Sequence, residues 1–444
     1  MNHLGIDIGT TSICGVVYDS NAQTVHSITR KNTSGITSAN PWESLQDADK
    51  IYAILLQLLD DVEKQYDIAS ISITGQMHGI VYVDGHGKAV SPLFTWQDQR
   101  GNLPFKDGQT YASAMTAETG YNVSTGYGLV THYYNIRKGD VPSGAKRLCT
   151  IMDYAAMRLT GMTSPVTDPS NAASLGCFDL EALNFDVAAI KKAGIDPAIL
   201  PDVVGWDKAV GFYKGKPVFV PIGDNQAGFI GTVKDKEHTV HLSVGTSSQI
   251  SVFTPTYVSV DGLDTRPFPH GGYIIVGACL CGGSSFAMLH KLYADIIERF
   301  GNADVDDDAL YALMGSVPYK QQQPDDIVVS TLFEGTRANP SLRGSIGNIS
   351  ASNLTPEALI LGFFRGIAQE LVDFYHALPL TVRNSMREIA GSGNAISKNS
   401  LLRKILEEKF ALPLHEVPDI ENAALGAGIY GAKCISAQAK ELAS

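Results

Sequence analysis

Two stretches far apart in this chain repeat one pattern. Leu4, Ile6 and Ile8 lead into Gly9-Thr10-Thr11-Ser12, and an apolar, β-branched run resumes from Ile13 to Tyr18. Later His241-Leu242-Ser243-Val244 leads into Gly245-Thr246-Ser247-Ser248, again with strand-forming residues beyond. Each reads as a hairpin with a short Gly-Thr-hydroxyl turn. A chain that restarts in this way is an internal duplication of one fold. The length of 444 residues agrees, because a single core stops growing near ~250–300 residues. The division is expected as 1–233 and 234–444.

Between the two turns the chain alternates helix and strand signals. Ile51, Ile54, Leu55, Leu58, Leu59 and Val62 mark one face of an amphipathic helix. A buried strand is expected from Ile68 to Ile73, ending at Gly75-Gln76-Met77-His78-Gly79, and another over Ile80–Val83. Residues 217–222 form a short apolar strand that stops at Gly223-Asp224, with a helix from Asn225. In the second half, Arg387–Ala390 is a strand before the glycine-rich Gly391-Ser392-Gly393-Asn394, and a helix follows from Ser400. Glu421-Asn422-Ala423-Ala424 opens a helix of small residues. The class is α/β.

Composition narrows the partners. With 34 basic against 46 acidic side chains the net charge is −12, which argues against a nucleic-acid or anionic-membrane partner. A phosphorylated ligand stays open, because backbone N–H groups bind phosphate without net positive charge. The six cysteines (Cys14, Cys149, Cys177, Cys279, Cys281 and Cys434) are too few for a disulfide scaffold. They are expected as reduced thiols of a cytoplasmic protein. Neither a signal peptide nor a membrane-spanning run is expected.

The chemistry-bearing residues cluster at strand ends. Gly9, Thr10, Thr11 and Ser12 could cradle phosphate oxygens, as could Gly245, Thr246 and Ser247; a tight hairpin turn would use the same residues. Asp7 interrupts an apolar strand, where a carboxylate needs a partner. Mg²⁺ beside a phosphate-binding turn is one, and the aspartate's own turn is another. Asp224 sits where α/β folds place ligands and could take the proton of an attacking hydroxyl, or cap the next helix. Gln76, Met77, His78, Trp96, Asp98 and Arg100 supply the amides, charges and aromatic face that suit a polyhydroxylated ligand.

Taken in order, DIGTTS at 7–12, GQMHG at 75–79, TWQDQR at 95–100, DYAAMRLTG at 153–161, GDNQAG at 223–228, VGTSS at 244–248, GSGNAISKN at 391–399 and ENAALGAG at 421–428 resemble the FGGY carbohydrate kinase family. The resemblance covers essentially the whole chain. It implies two actin-like (ribonuclease H-like) ATPase domains facing each other across a cleft. The first would be the sugar-binding side and the second the nucleotide-binding side.

The activity implied is ATP-dependent phosphorylation of a ketose. The forms of residues 95–100, 125–128, 167–176 and 391–399 point to sedoheptulose before D-xylulose. Asp224 matches the family's catalytic base, and Asp7 and Asp224 are the expected Mg²⁺ carboxylates. Gln76, Met77, His78, Trp96, Asp98, Arg100, Asp224 and Asn225 are expected on the sugar. Gly9, Thr10, Thr11, Ser12, Gly245, Thr246, Ser247, Gly391, Gly393, Asn394 and Asn422 are expected on ATP. The partners are then a small ketose and MgATP, with no nucleic acid and no membrane; a homodimer is allowed. Glu334-Gly335-Thr336-Arg337 stands where many relatives have Gly-Glu-Arg, so Arg337 is given no role. The alternative from another class is an actin-like ATPase without a sugar acceptor. The segments at 75–79 and 95–100 speak against it.

Overall fold

The computed structural model describes residues 1–336, 339, 341–418 and 421–443; Arg337 lies outside them. The chain forms two compact units. Unit 1 is Met1–Gly231 with Arg266–Gly272 and the C-terminal helix, and unit 2 is Thr232–Thr265 with the residues from Tyr273 up to that helix. By packing, Arg266–Gly272 and the C-terminal helix join the first unit although they lie in the second half of the sequence.

In unit 1 the central sheet has the order β5-β6-β4-β1-β2-β3. Its strands are β1 (Asn2–Ile8), β2 (Ser12–Asp19), β3 (Thr24–Lys31), β4 (Ile68–Gly75), β5 (Ala209–Tyr213) and β6 (Lys216–Phe219). The first three run antiparallel in sequence, while β4 lies parallel to β1. Ile8 faces Ile13 across the turn, which makes residues 9–12 the hairpin loop expected.

Helix α1 (Ala48–Glu63) begins where the Asp47 carboxylate accepts the Lys50 N–H, satisfying one of the donors a helix start leaves open. Its buried face is Ile51, Ile54, Leu55, Leu58, Leu59 and Val62, the i, i+3, i+4 stripe of an amphipathic helix. Each such side chain contributes roughly 1.5–3 kcal/mol on burial. Leu58 lies over Gly15 of β2, where an added Cβ would come within 2.7 Å of its side chain. A second apolar cluster in unit 1 gathers Tyr82, Leu129, Tyr133, Leu175 and Phe178.

Unit 2 repeats the sheet. Its order is β9-β10-β8-β7-β11-β12, built from β7 (Thr239–Val244), β8 (Ser248–Thr254), β9 (Asp264–Pro267), β10 (Tyr273–Cys279), β11 (Glu388–Ser392) and β12 (Leu414–Glu416). Again three strands are antiparallel in succession, β7–β8–β10, and the fourth, β11, lies parallel to the first. This repeat is the structural form of the duplication in the sequence. No described helix is long and apolar enough to cross a membrane.

Candidate active site

In unit 1 the loop after β1 is held by its carbonyl side. Asn32 donates its side-chain amide to Gly9 O and its backbone N–H to Thr11 O, and Gln46 donates to Thr10 O. Gln46 Oε1 in turn accepts from Gln76, whose own Oε1 takes the Thr10 hydroxyl. Among the described residues the backbone N–H groups of Thr10 and Thr11 donate to nothing. Carbonyls engaged on one side and amides open on the other are the polarity an anion needs.

Asp7 and Asp224 are both partly buried. Burial, then the charges of Asp224 and Glu421, push the Asp7 carboxyl up to about 7. Burial raises Asp224 too, opposed by the Asn225 hydrogen bond and the Arg266 charge. Asp224 is the first residue of α3 (Asp224–Thr232), and one of its oxygens accepts Asn225 Nδ2 at 2.7 Å. The approach to it is fixed from three sides. Gly223 N–H donates to Ser170 Oγ, Asn171 Nδ2 donates to Pro221 O, and Thr74 Oγ1 donates to Ile222 O. Ser170 and Asn171 are fixed by Asp168, which caps the short helix α2 (Pro169–Leu175) and also accepts from Trp206 Nε1. The 167–176 run was notable in the sequence as a family likeness; its positioning task needed the fold. The charge of Arg266 near these carboxylates had no sequence signal, and Glu421, though it opens the 421–428 motif, had no readable role, because both segments return to unit 1 from far along the chain.

The sugar-side residues divide into two groups. Met77 is buried, with its sulfur near Asn225 Nδ2 at 3.7 Å. His78 adopts φ +74°, bonds Ser174 O through Nδ1 at 2.7 Å and stacks on Tyr127 with ring centroids 4.6 Å apart. Trp96 is 46% exposed and donates Nε1 to the Thr10 hydroxyl at 3.1 Å. Trp96 thus meets the loop that carries Thr10, Met77 meets Asn225, and His78 is held against Ser174 and Tyr127. Asp98 and Arg100 differ. Both are buried, and Arg100 holds Asp98 through Nε at 2.7 Å and Nη2 at 3.1 Å. The guanidinium also reaches Asn135 and lies over the Phe94 ring. A bidentate, ring-covered pair saturates its own hydrogen-bonding groups. As placed, these two side chains brace the loop that presents Trp96.

In unit 2 the second glycine loop meets α4 (Gly283–Gly301) head on. Gly283 N–H donates to Gly245 O, and Gly282 and Ser284 N–H groups both donate to Thr246 O. Gly393 sits at φ +89° with Val244 O where a Cβ would stand, 2.6 Å away. Only glycine tolerates both conditions. A cavity of about 810 Å³ opens here, and its lining includes the polar or small residues Gly245, Thr246, Ser284, Asn394 and Lys398 and the apolar residues Phe286, Tyr311, Phe364 and Ala395. The Ser284 and Ser285 hydroxyls are buried and have no partner among the described residues. Orphaned donors at a helix start suit an anion. Sequence reasoning missed them, although Gly282-Gly283-Ser284-Ser285 directly follows a strand. Ser247 is not in the cavity lining, Gly391 packs on Ile396 and Leu414, and Asn422 opens the C-terminal helix of unit 1 beside Gly231. Of the adenosine-motif residues, Asn394 faces the cavity and Gly393 sets the turn before it.

Residues 2–240 match the N-terminal domain of the FGGY family of carbohydrate kinases, and residues 240–434 match its C-terminal domain. The chain belongs to the FGGY family of carbohydrate kinases. It is an ATP-dependent sugar kinase, a phosphotransferase, as the sequence led us to expect. Sedoheptulokinase of Mus musculus is 27% identical, with 96% of each chain covered. Xylulose kinase of Staphylococcus xylosus is 24% identical over 90% of this chain and 84% of its own. The ligand-bound xylulose kinase of Lactobacillus acidophilus superposes with a TM-score of 0.81 at 20% identity, covering 98% of this chain and 89% of that one. This likeness bears on the fold: the FGGY kinase has the two-domain α/β architecture of actin-like ATPases.

Proposed function

We propose that this FGGY kinase transfers the γ-phosphoryl of ATP to the terminal primary hydroxyl of sedoheptulose, giving sedoheptulose 7-phosphate. The observation that carries the chemistry is the setting of Asp224, a partly buried carboxylate at a helix start whose pKa burial raises above its ordinary value. A base so placed accepts the acceptor's hydroxyl proton more readily than an exposed carboxylate would. Met77, His78, Trp96 and Asn225 orient the sugar, and Gln76 fixes the loop beneath it. The substrate rests on the full-length likeness to sedoheptulokinase and on the forms of the sugar-side segments.

The cavity of unit 2 suits ATP, with its aromatic and aliphatic lining for adenine and the Gly245–Thr246 loop with Ser284 for phosphate. The open amides of Thr10 and Thr11 suit phosphate oxygens as well. Developing charge on the transferred group is then met by fixed dipoles, which need no reorganisation. Mg²⁺ fits the donor set of unit 1, because Asp7 and Asp224 are oxygen ligands whose charges repel each other. When bound, it would neutralise phosphoryl charge.

The test is ADP release with MgATP and a panel of sedoheptulose, D-xylulose, L-ribulose, D-ribulose, glycerol and gluconate, ranked by kcat/KM. Sedoheptulose is expected first. A clear preference for D-xylulose would replace the substrate and leave the base untouched. Release that no sugar stimulates would overturn the proposal.

A further inference from the structure

Away from the catalytic carboxylates, three segments of unit 1 bring a thiol, an imidazole and a carboxylate together. Cys434 is on the C-terminal helix α8 (Asn422–Ala443), His270 is in the Arg266–Gly272 segment, and Asp207 is in the turn before β5. Here α5 is Pro356–Ala377, α6 is Asn394–Lys398 and α7 is Ser400–Phe410. Asp207 Oδ1 lies 3.1 Å from Cys434 Sγ and 3.1 Å from His270 Nδ1. One ligand atom from each of the three falls within 4.8 Å of the others.

We propose that Asp207, His270 and Cys434 form a binding site for a tetrahedral transition-metal ion of the Zn²⁺ type, with water as fourth ligand. Zn–S near 2.3 Å and Zn–N or Zn–O near 2.0–2.2 Å imply ligand-to-ligand edges of about 3.3–3.6 Å. The two observed 3.1 Å separations are within a few tenths of an ångström of those edges. The chemistry selects the metal. A thiolate with an imidazole favours Zn²⁺, whereas Mg²⁺ prefers oxygen ligands and keeps its water.

The surroundings hold the set in place. Asp207 N–H donates to Tyr430 Oη at 3.4 Å and Asp207 O accepts from Gln438 Nε2 at 3.3 Å, both from α8. His270 lies against the Tyr430 ring at 5.7 Å. Outer-shell bonds of this kind fix ligand orientation. Asp207 and His270 are also both in left-handed backbone, at φ +66° and +64°, a conformation that costs a non-glycine residue about 1 kcal/mol or more. On binding, the Cys434 thiol loses its proton to solvent and the sulfur lone pair goes to the metal. His270 uses Nδ1 and keeps its proton on Nε2. The ion would tie α8 to the segment that carries Arg266, and so act as a structural clamp.

The test is metal content of the full-length protein after dialysis against chelator and addition of Zn²⁺ in millimolar Mg²⁺. About one Zn²⁺ per chain should remain, and Co²⁺ in its place should show thiolate-to-cobalt charge-transfer absorption. His270→Ala, at an exposed position that leaves the core intact, should weaken binding by more than about a hundredfold, since even outer-shell losses cost about 10–100-fold. Cys434→Ser should abolish the charge-transfer band. Absence of stoichiometric Zn²⁺, or binding that His270→Ala leaves unchanged, overturns the site.

Discussion

In the proposed reaction two carboxylates carry the chemistry, and each makes its own prediction. Asp224→Asn keeps the shape and the Asn225 contact but cannot take a proton. It should lower kcat by about 10²–10⁴-fold while ATP affinity, measured by calorimetry, stays within a few-fold. Near-native turnover would remove Asp224 from the role of base. Asp7 acts on stability. Its carboxyl, ordinarily at 3.8, is raised to about 7 in the folded chain. Between those values the folded state holds a proton that the unfolded state has released, so stability falls as pH rises from about 4 to about 7 and this contribution is flat above. Asp7→Asn removes that loss, and the variant should gain on the parent by up to about 4 kcal/mol by pH 8, since one pKa unit is about 1.4 kcal/mol. Urea midpoints across pH 4–8 read the difference. Mg²⁺ should narrow it, because a bound cation favours the ionised form; an unchanged gap would count against Asp7 as a metal carboxylate.

Elements are positioned by close approach as much as by apolar burial. An added Cβ at Gly426 of α8 would stand 1.7 Å from Ala227 O of α3, and one at Gly231 of α3 would stand 2.1 Å from Asn422 O. On the other side of α8, a Cβ at Gly5 of β1 would meet Ala424 O at 1.9 Å. The small-residue helix therefore lies backbone to backbone between the strand that carries Asp7 and the helix that begins with Asp224. Gly426→Ala should push α3 away, costing roughly 1–3 kcal/mol from overpacking and lowering kcat more than it raises the KM for ATP. Thermal unfolding and steady-state kinetics check the two parts. The sequence showed this helix and its small residues plainly, since spacing and composition are local. It could not show which unit the helix joins, because that depends on backbone contacts across most of the chain. For the same reason the hairpin loops, α1 and the placing of Asp224 where a strand gives way to a helix were legible, while Ser170, Asn171 and the inward turn of Asp98 and Arg100 were not. A buried ion pair and an exposed sugar contact are written with the same residue types.

At the scale of the molecule, one sheet plan has been used twice for different ends. Unit 1 kept polar side chains at the ends of β1 and β4 and covered them with the 76–78, 96–100 and 221–224 segments. Unit 2 kept a glycine loop against a long helix and left a cavity beside it. Duplication was visible from the paired Gly-Thr turns; the divergence was not, since it lies in what packs around each sheet. If the division of labour holds, each ligand should protect its own unit. ATP should slow amide exchange at 245–247, 283–288 and 394–399. Sedoheptulose should slow it at 76–78, 96–97 and 223–226. A ligand that binds the folded chain at about 100 times its Kd adds about 2.7 kcal/mol, enough for a hundredfold change in local exchange where opening exposes the site. Protection by sedoheptulose confined to unit 2 peptides, measured by mass spectrometry, would reverse the assignment of the two units.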